Sequence, residues 1–176
     1  CVNAGAKITL ISGPVNCSPV DGVHVIAVET TQEMHEASLL AAATADIFIG
    51  AAAVVDFKPE SVALQKIKRN GVAEMDLRLV PNPDIIATVS NSASRPSLVV
   101  GFAAETEDVK EYARQKLAKK SLDYIFANDV SDTSIGFDSD RNAGVLIGQN
   151  GNIEMPISTK RVLAEAIIGE LSRQLD

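Results

Sequence analysis

The chain has 176 residues, enough for one domain with a core of its own. A hydrophobic fraction of 46% and a charged fraction of 22% suit an ordinary folded protein, and a formal charge of −7 excludes the broad basic field of a general nucleic-acid or membrane surface. No apolar run approaches the ~20 residues of a membrane span, and Cys1, Cys17, His24 and His35 form neither a disulfide framework nor a zinc set. Free thiols without a secretory leader predict a cytoplasmic protein, and the acidic charge predicts one that binds neither nucleic acid nor membrane.

The opening "CVNAGAKITLI" lacks an initiating Met and reads as a last helical turn stopped by Gly5, followed by a strand. Residues 1–176 are therefore expected to form one domain that is incomplete at its N-terminus. "VHVIAVE" predicts a second strand. Thr30 and Glu33 predict a capping box for a helix through "EMHEASLLAAAT". "DIFIGAAA" reads as a strand buried on both faces, and the polar stretch from Asp56 to about Asn70 as a long mobile loop.

"EMDLRLV" predicts a fourth, edge strand, and Asn82-Pro83 an N-cap and first-turn proline for a short helix through "DIIATVS". "SLVVGFAAE" is a buried strand; Thr106 is placed to cap the helix that follows, and "LDYIFAND" is the next strand. "AGVLIGQNGNIEMPI" reads as a hairpin turning at Asn150-Gly151, and Ser158 as the start of a last helix. This alternation predicts an α/β protein: a three-layer α/β/α sandwich with a mostly parallel sheet and a C-terminal antiparallel hairpin extension.

Ligands of such sheets sit beyond the carboxyl ends of the strands. Those ends carry Gly50-Ala51-Ala52, Gly101-Phe102 and Ala127-Asn128-Asp129, small residues that admit a ligand and polar ones that hold it. In the helix containing "ARQKLAKK", a turn of about 100° per residue puts Lys116 and Lys120 on the apolar stripe with Val109 and Ala113. Two readings stay open. The lysines complement the helix dipole and snorkel outward, or they serve a ligand long enough to reach ~15 Å down the helix at 1.5 Å per residue. Lys66, Asp56 and Asn82-Pro83-Asp84 have equally plain readings as a solvated loop lysine, a turn residue and a cap. The absence of G-x-G-x-x-G, G-x-x-x-x-G-K-[ST] and G-x-S-x-G argues against NAD(P), P-loop and serine-hydrolase chemistry.

The ordered strings "IFIGAAAVVDFKP", "KIKR", "LVPNPDIIATV", "VVGFAAETEDVKEYARQKLAKKSLDYIFAND" and "GFDSDRNAGVLI" resemble phosphopantothenoylcysteine synthetase of bacterial coenzyme A biosynthesis, from Gly5 onward. The resemblance implies a Rossmann-like ligase that joins 4′-phosphopantothenate to L-cysteine with CTP. An acyl-cytidylate forms, and CMP and pyrophosphate are released. It also implies Mg²⁺ with the nucleotide, a homodimer, and FMN only if a decarboxylase domain precedes this chain. The matching positions imply a CTP site of Gly50, Ala51, Ala52, Asp56, Lys66, Asn82, Pro83, Asp84, Ile85, Phe102, Lys116 and Lys120, with Lys66 also catalytic on a closing loop. The family's first strand and its Asn-bearing loop have no counterpart here. A non-catalytic nucleotide-binding module of the same fold is the alternative.

Overall fold

A computed structural model of the chain describes residues 1–68, 74–105, 108–129 and 139–175. In chain order it contains β1 (Thr9–Ser12), β2 (His24–Ala27), α1 (Thr31–Ala42), β3 (Ile47–Gly50), β4 (Phe57–Pro59), β5 (Leu79–Pro81) and α2 (Ile85–Ser90). There follow β6 (Leu98–Glu105), α3 (Val109–Lys119), β7 (Tyr124–Asp129), β8 (Arg141–Gly148), β9 (Gly151–Thr159) and α4 (Lys160–Ser172). A short 3₁₀ turn at Val2–Ala4 precedes them. Gly5 ends it at φ 81°, a left-handed conformation that favours glycine.

The main sheet has the order β3-β6-β7-β8-β9. β3, β6 and β7 run parallel, and β8 and β9 extend them antiparallel. Two apolar clusters cover it. On one face, Leu39 and Ala42 of α1, Ile86 and Val89 of α2 and Val109, Ala113 and Leu117 of α3 pack on Val99, Ala103, Ile125 and Ala127. On the other, Leu163, Ile167 and Leu171 of α4 pack on Val100, Phe126, Leu146 and Met155. The expected α/β/α layering is present. β1 and β2 form a separate parallel pair beside α1.

The capping box at α1 forms as expected. Thr30 Oγ1 accepts from Glu33 N at 3.1 Å, and Glu33 Oε2 accepts from Glu29 N at 2.7 Å and Thr30 N at 3.0 Å. Those N–H groups, Glu29's first, hold the Glu33 carboxyl below its ordinary range.

Other local expectations shift. β3 is only partly buried, because β6 pairs with one of its edges and no strand among the described residues pairs with the other. The stretch after Asp56 begins with a strand: β4 pairs antiparallel with β5, so "EMDLRLV" contributes only its end, and to a separate ribbon. The N-cap of α2 is Asp84, whose side chain accepts from Ala87 N, and not Asn82; Pro83 precedes the cap. Thr106 lies outside the described residues, and α3 is capped by Asp108, at φ 43° without a side-chain bond. Ser158 still belongs to the β-ladder opposite Asn142, so Thr159 caps α4 by accepting from Val162 N. Gly148 pairs with Gly151, which places the hairpin turn at Gln149-Asn150.

The β7–β8 contact depends on a missing side chain. A Cβ on Gly144 would sit 2.4 Å from the Ala127 carbonyl oxygen and 2.8 Å from Phe126 Cζ, whereas one on Gly148 would press only on the Tyr124 ring. Backbone in mid-sheet has no room to yield; a ring near the strand's start does. Gly144→Ala should therefore cost about 1–3 kcal/mol, lowering Tm by several degrees at roughly 2–4 °C per kcal/mol. Gly148→Ala should cost less. Thermal unfolding of the two variants checks this ordering, and equal melting points would contradict it.

Candidate functional site

The C-terminal ends of the parallel strands are not level. β3 stops at Gly50, which registers with Gly101, while β6 continues to Glu105, roughly 13 Å further at 3.3 Å per residue. From Phe102 onward β6 pairs with β7 on one side and has no strand on its β3 side among the described residues. The result is a notch in the rim, with β6 outside any strand pairing along one wall among the described residues. Ala51 and Ala52 leave β3 at its floor and are exposed.

Helix α2 is drawn tightly against that floor. Its Ile86 occupies the space that side chains would otherwise take: a Cβ on Gly50 would lie 2.9 Å from Ile86 Cδ1, and one on Gly101 3.3 Å from the same atom and 2.8 Å from Leu122 Cδ1. Ile86 was not among the residues singled out from sequence, although the glycines at the ends of two apolar runs are the signal that could have found it.

Asn82 ties the entry to α2 back onto the chain that leaves β3. Its N–H donates to the Asp56 carbonyl at 2.8 Å and its Nδ2 to the Val55 carbonyl at 2.9 Å. Its Oδ1 is buried with no partner among the described residues. Asp84 follows, with Oδ1 accepting from Ala87 N at 3.2 Å and Oδ2 facing Lys120 Nζ at 2.9 Å. Ile85 is buried and Pro83 half-buried.

The backbone of Lys120, at the end of α3, lies against the far end of α2, where Ser90 Oγ donates to the Lys120 carbonyl. The lysine stem therefore runs back along α2, a helix about 9 Å long at 1.5 Å per residue, to reach Asp84 at its start. This explains how a residue so far down α3 arrives beside the floor of the notch. Lys116, one turn earlier on α3, is exposed and Lys66 is exposed beyond β4. Asp56 is also exposed.

The predicted residues thus fall into groups. Asn82 and Asp56 meet through the backbone, Asp84 and Lys120 form an ion pair, and Gly50 meets Ile86 beside Ile85. Phe102 lies on the opposite, α4 face of the sheet, in register with Phe126 and edge-to-face with it at 5.6 Å and 62°. Only a ligand that passes through the notch can touch both faces. On that same face Asn128, in register with Ala104, accepts at Oδ1 from Asn142 Nδ2 at 2.9 Å.

What the arrangement can do is bind an extended anion. A small-residue floor, a strand edge without a ladder partner among the described residues and a lysine held by an exchangeable carboxylate suit a base at one end and phosphates at the other. Among the described residues no group of three or more His, Cys, Asp or Glu side chains converges to hold a metal ion, and no helix is long and apolar enough to cross a membrane.

The sequence matches the family described as the DNA/pantothenate metabolism flavoprotein C-terminal domain over residues 1–175. It is 45% identical over 168 residues to the coenzyme A biosynthesis bifunctional protein CoaBC of Vibrio parahaemolyticus, covering 95% of this chain and 42% of that protein. Against CoaBC of Escherichia coli K12 it is 42% identical over 174 residues, covering 98% and 43%. The chain thus spans less than half the length of these relatives. Among solved structures it is similar to the crystal structure of the C-terminal domain of CoaBC, with a TM-score of 0.80 and 32% identity over 99% of this chain and 77% of that one. The chain belongs to the DNA/pantothenate metabolism flavoprotein C-terminal domain family.

Asp84 does two jobs here, and they can be separated. Asparagine caps a helix as well as aspartate does but carries no charge, whereas alanine loses the cap. Asp84→Ala should cost about 1 kcal/mol. Asp84→Asn forfeits only a half-exposed ion pair and should cost less, in the ~0–1 kcal/mol range of surface pairs. Urea unfolding measures both, and equal losses would show that the ion pair, not the cap, carries the stability.

Proposed function

We propose that, from its membership of this family, the chain is the ligase part of a coenzyme A biosynthesis protein, joining 4′-phosphopantothenate to L-cysteine at the expense of CTP. The observation that carries the reading is the Asp84–Lys120 pair beside the Gly50 end of β3. It offers a cation at the floor of a notch and a carboxylate that releases it when a stronger anion arrives.

The chemistry needs such a cation. A carboxylate and a triphosphate repel each other, and the carboxylate oxygen must nevertheless bond to the α-phosphorus. As it does so, the bond to the bridging oxygen breaks and pyrophosphate leaves with the electron pair. The cysteine amine then bonds to the acyl carbon, loses a proton, and CMP departs with its electrons. Lys116 and Lys120 would bind the phosphates and offset the charge that builds on them. Lys66 would approach from the segment after β4 and hold the reacting phosphate. Gly50, Ala51, Ala52 and the free edge at Phe102 would meet the cytosine through backbone N–H and C=O groups, while Asn82, Pro83, Asp84 and Ile85 would shape the opposite wall with Asp56. Mg²⁺ would arrive on the triphosphate; no group of three or more His, Cys, Asp or Glu side chains converges to hold it among the described residues. FMN would belong to a decarboxylase part outside this chain. A homodimer is the proposed assembly and the cytoplasm the proposed compartment.

Calorimetry with CTP and ATP tests the reading, and CTP should bind more tightly. Lys116→Ala and Lys120→Ala should each weaken CTP by about tenfold or more, the value of a charge-assisted bond of roughly 1.5–3 kcal/mol. CMP should be affected less. Equal or tighter ATP binding, or unchanged CTP affinity in both variants, would contradict the proposal. CTP binding without any acyl transfer to cysteine would favour the non-catalytic nucleotide-binding module instead.

A further inference from the structure

Asn128 and Asn142 stand on either side of the segment between β7 and β8, on the α4 face of the sheet near the notch. Their amides are linked in one direction. The Ala143 N–H, which can only donate, points at Asn142 Oδ1 at 2.9 Å. That contact fixes the Asn142 amide, so Nδ2 is the atom left to face Asn128, and it meets Asn128 Oδ1 at 2.9 Å. The acceptor end of Asn128 is thereby turned toward Asn142, and its NH₂ end is turned away. A lone asparagine amide can present either end to a ligand; this one is held in one orientation.

The held end has a place to act. Asn128 registers with Ala104, and Phe102 lies two residues earlier on β6, on the same face of the sheet and exposed. The segment of β6 from Phe102 to Ala104 is the wall of the notch. We infer that Asn142 is a positioning residue: relaying the direction of the Ala143 N–H, it locks Asn128 as a hydrogen-bond donor toward an acceptor atom of a nucleotide lying across the carboxyl rim. This rests on the nucleotide reading above and deepens it, because it assigns a polarity to Asn128, on the strand beside that wall, and gives Asn142 a role that works through Asn128.

A double-mutant cycle on the full-length protein tests it. Asn128→Ala and Asn142→Ala should each weaken CTP binding roughly three- to tenfold, as for one uncharged hydrogen bond. The double variant should bind no more weakly than Asn128→Ala alone, since Asn142 has nothing left to orient. Asn142→Asp is the sharper variant. Its carboxylate still accepts from Ala143 N but cannot donate, so Asn128 must reverse its amide. CTP binding should then fall at least as far as in Asn142→Ala while the fold is kept. Additive losses in the cycle, or wild-type affinity for Asn142→Asp, would overturn the inference. The polarity is also readable without nucleotide, from Overhauser contacts between the two side-chain amides. The Asn142 NH₂ protons should face Asn128 in the unaltered protein, and the Asn128 NH₂ protons should face residue 142 only in Asn142→Asp. An Asn128 NH₂ turned toward Asn142 in the unaltered protein would overturn it. Failure of the unaltered protein to bind CTP would count against the proposed function, while the Overhauser contacts would still decide the amide orientation.

Discussion

The contact of Ile86 with Gly50 and Gly101 sets the rest of the site. Two neighbouring parallel strands present glycine at the same level, and α2 lowers one isoleucine into the space where two side chains would stand. Because α2 lies that close, its start falls at the end of β3 and its other end against the last turn of α3. Lys120 can then follow α2 from one end to the other and meet Asp84. A bulkier residue at Gly101 would push on Ile86 and Leu122 together and move the helix that carries Asp84. The charged pair depends on packing first and electrostatics second.

The uneven strand lengths supply the other half of the arrangement. An edge strand that stops early costs several ladder hydrogen bonds and leaves a neighbour's backbone unpaired. Proteins keep such edges short or use them. Here the unpaired length of β6 lies between a cationic side, where Lys120 stands, and an aromatic and amide side, where Phe102 and Asn128 stand. An extended ligand with a planar polar end and an anionic end has a partner for each part.

Much of this was legible in the sequence wherever the cause is local. The capping box Thr30–Glu33, the left-handed Gly5 and the alternation of strands and helices follow from neighbours a few residues apart. The caps expected at Asn82 and Ser158 were misplaced for a common reason. A capping residue is recognised by type, but where it is spent depends on distant partners. Asn82 uses its side chain on the Val55 carbonyl, 27 residues away, leaving the cap to Asp84. Ser158 is held in the ladder by Asn142. Helical periodicity turned Lys120 toward the half-buried side it occupies, yet its partner Asp84, thirty-six positions earlier, was not visible, and Lys116 is exposed. Pairing of β4 with β5 was likewise hidden, because three-residue strands carry too little alternation to be seen. The amide relay at Asn142 has no sequence signature at all.

The proposed place for a cytidine nucleotide is the notch at the end of β3, with α2 and Lys120 beneath it. Backbone amide chemical-shift mapping during a CTP titration tests it directly. Large, saturable shifts are expected at Gly50–Ala52, Asn82, Asp84, Ile85, Phe102, Lys116 and Lys120, with little change along α4 and the outer part of β9. Saturable shifts confined to α4 and β9, with Gly50, Asp84 and Lys120 unmoved, would contradict it.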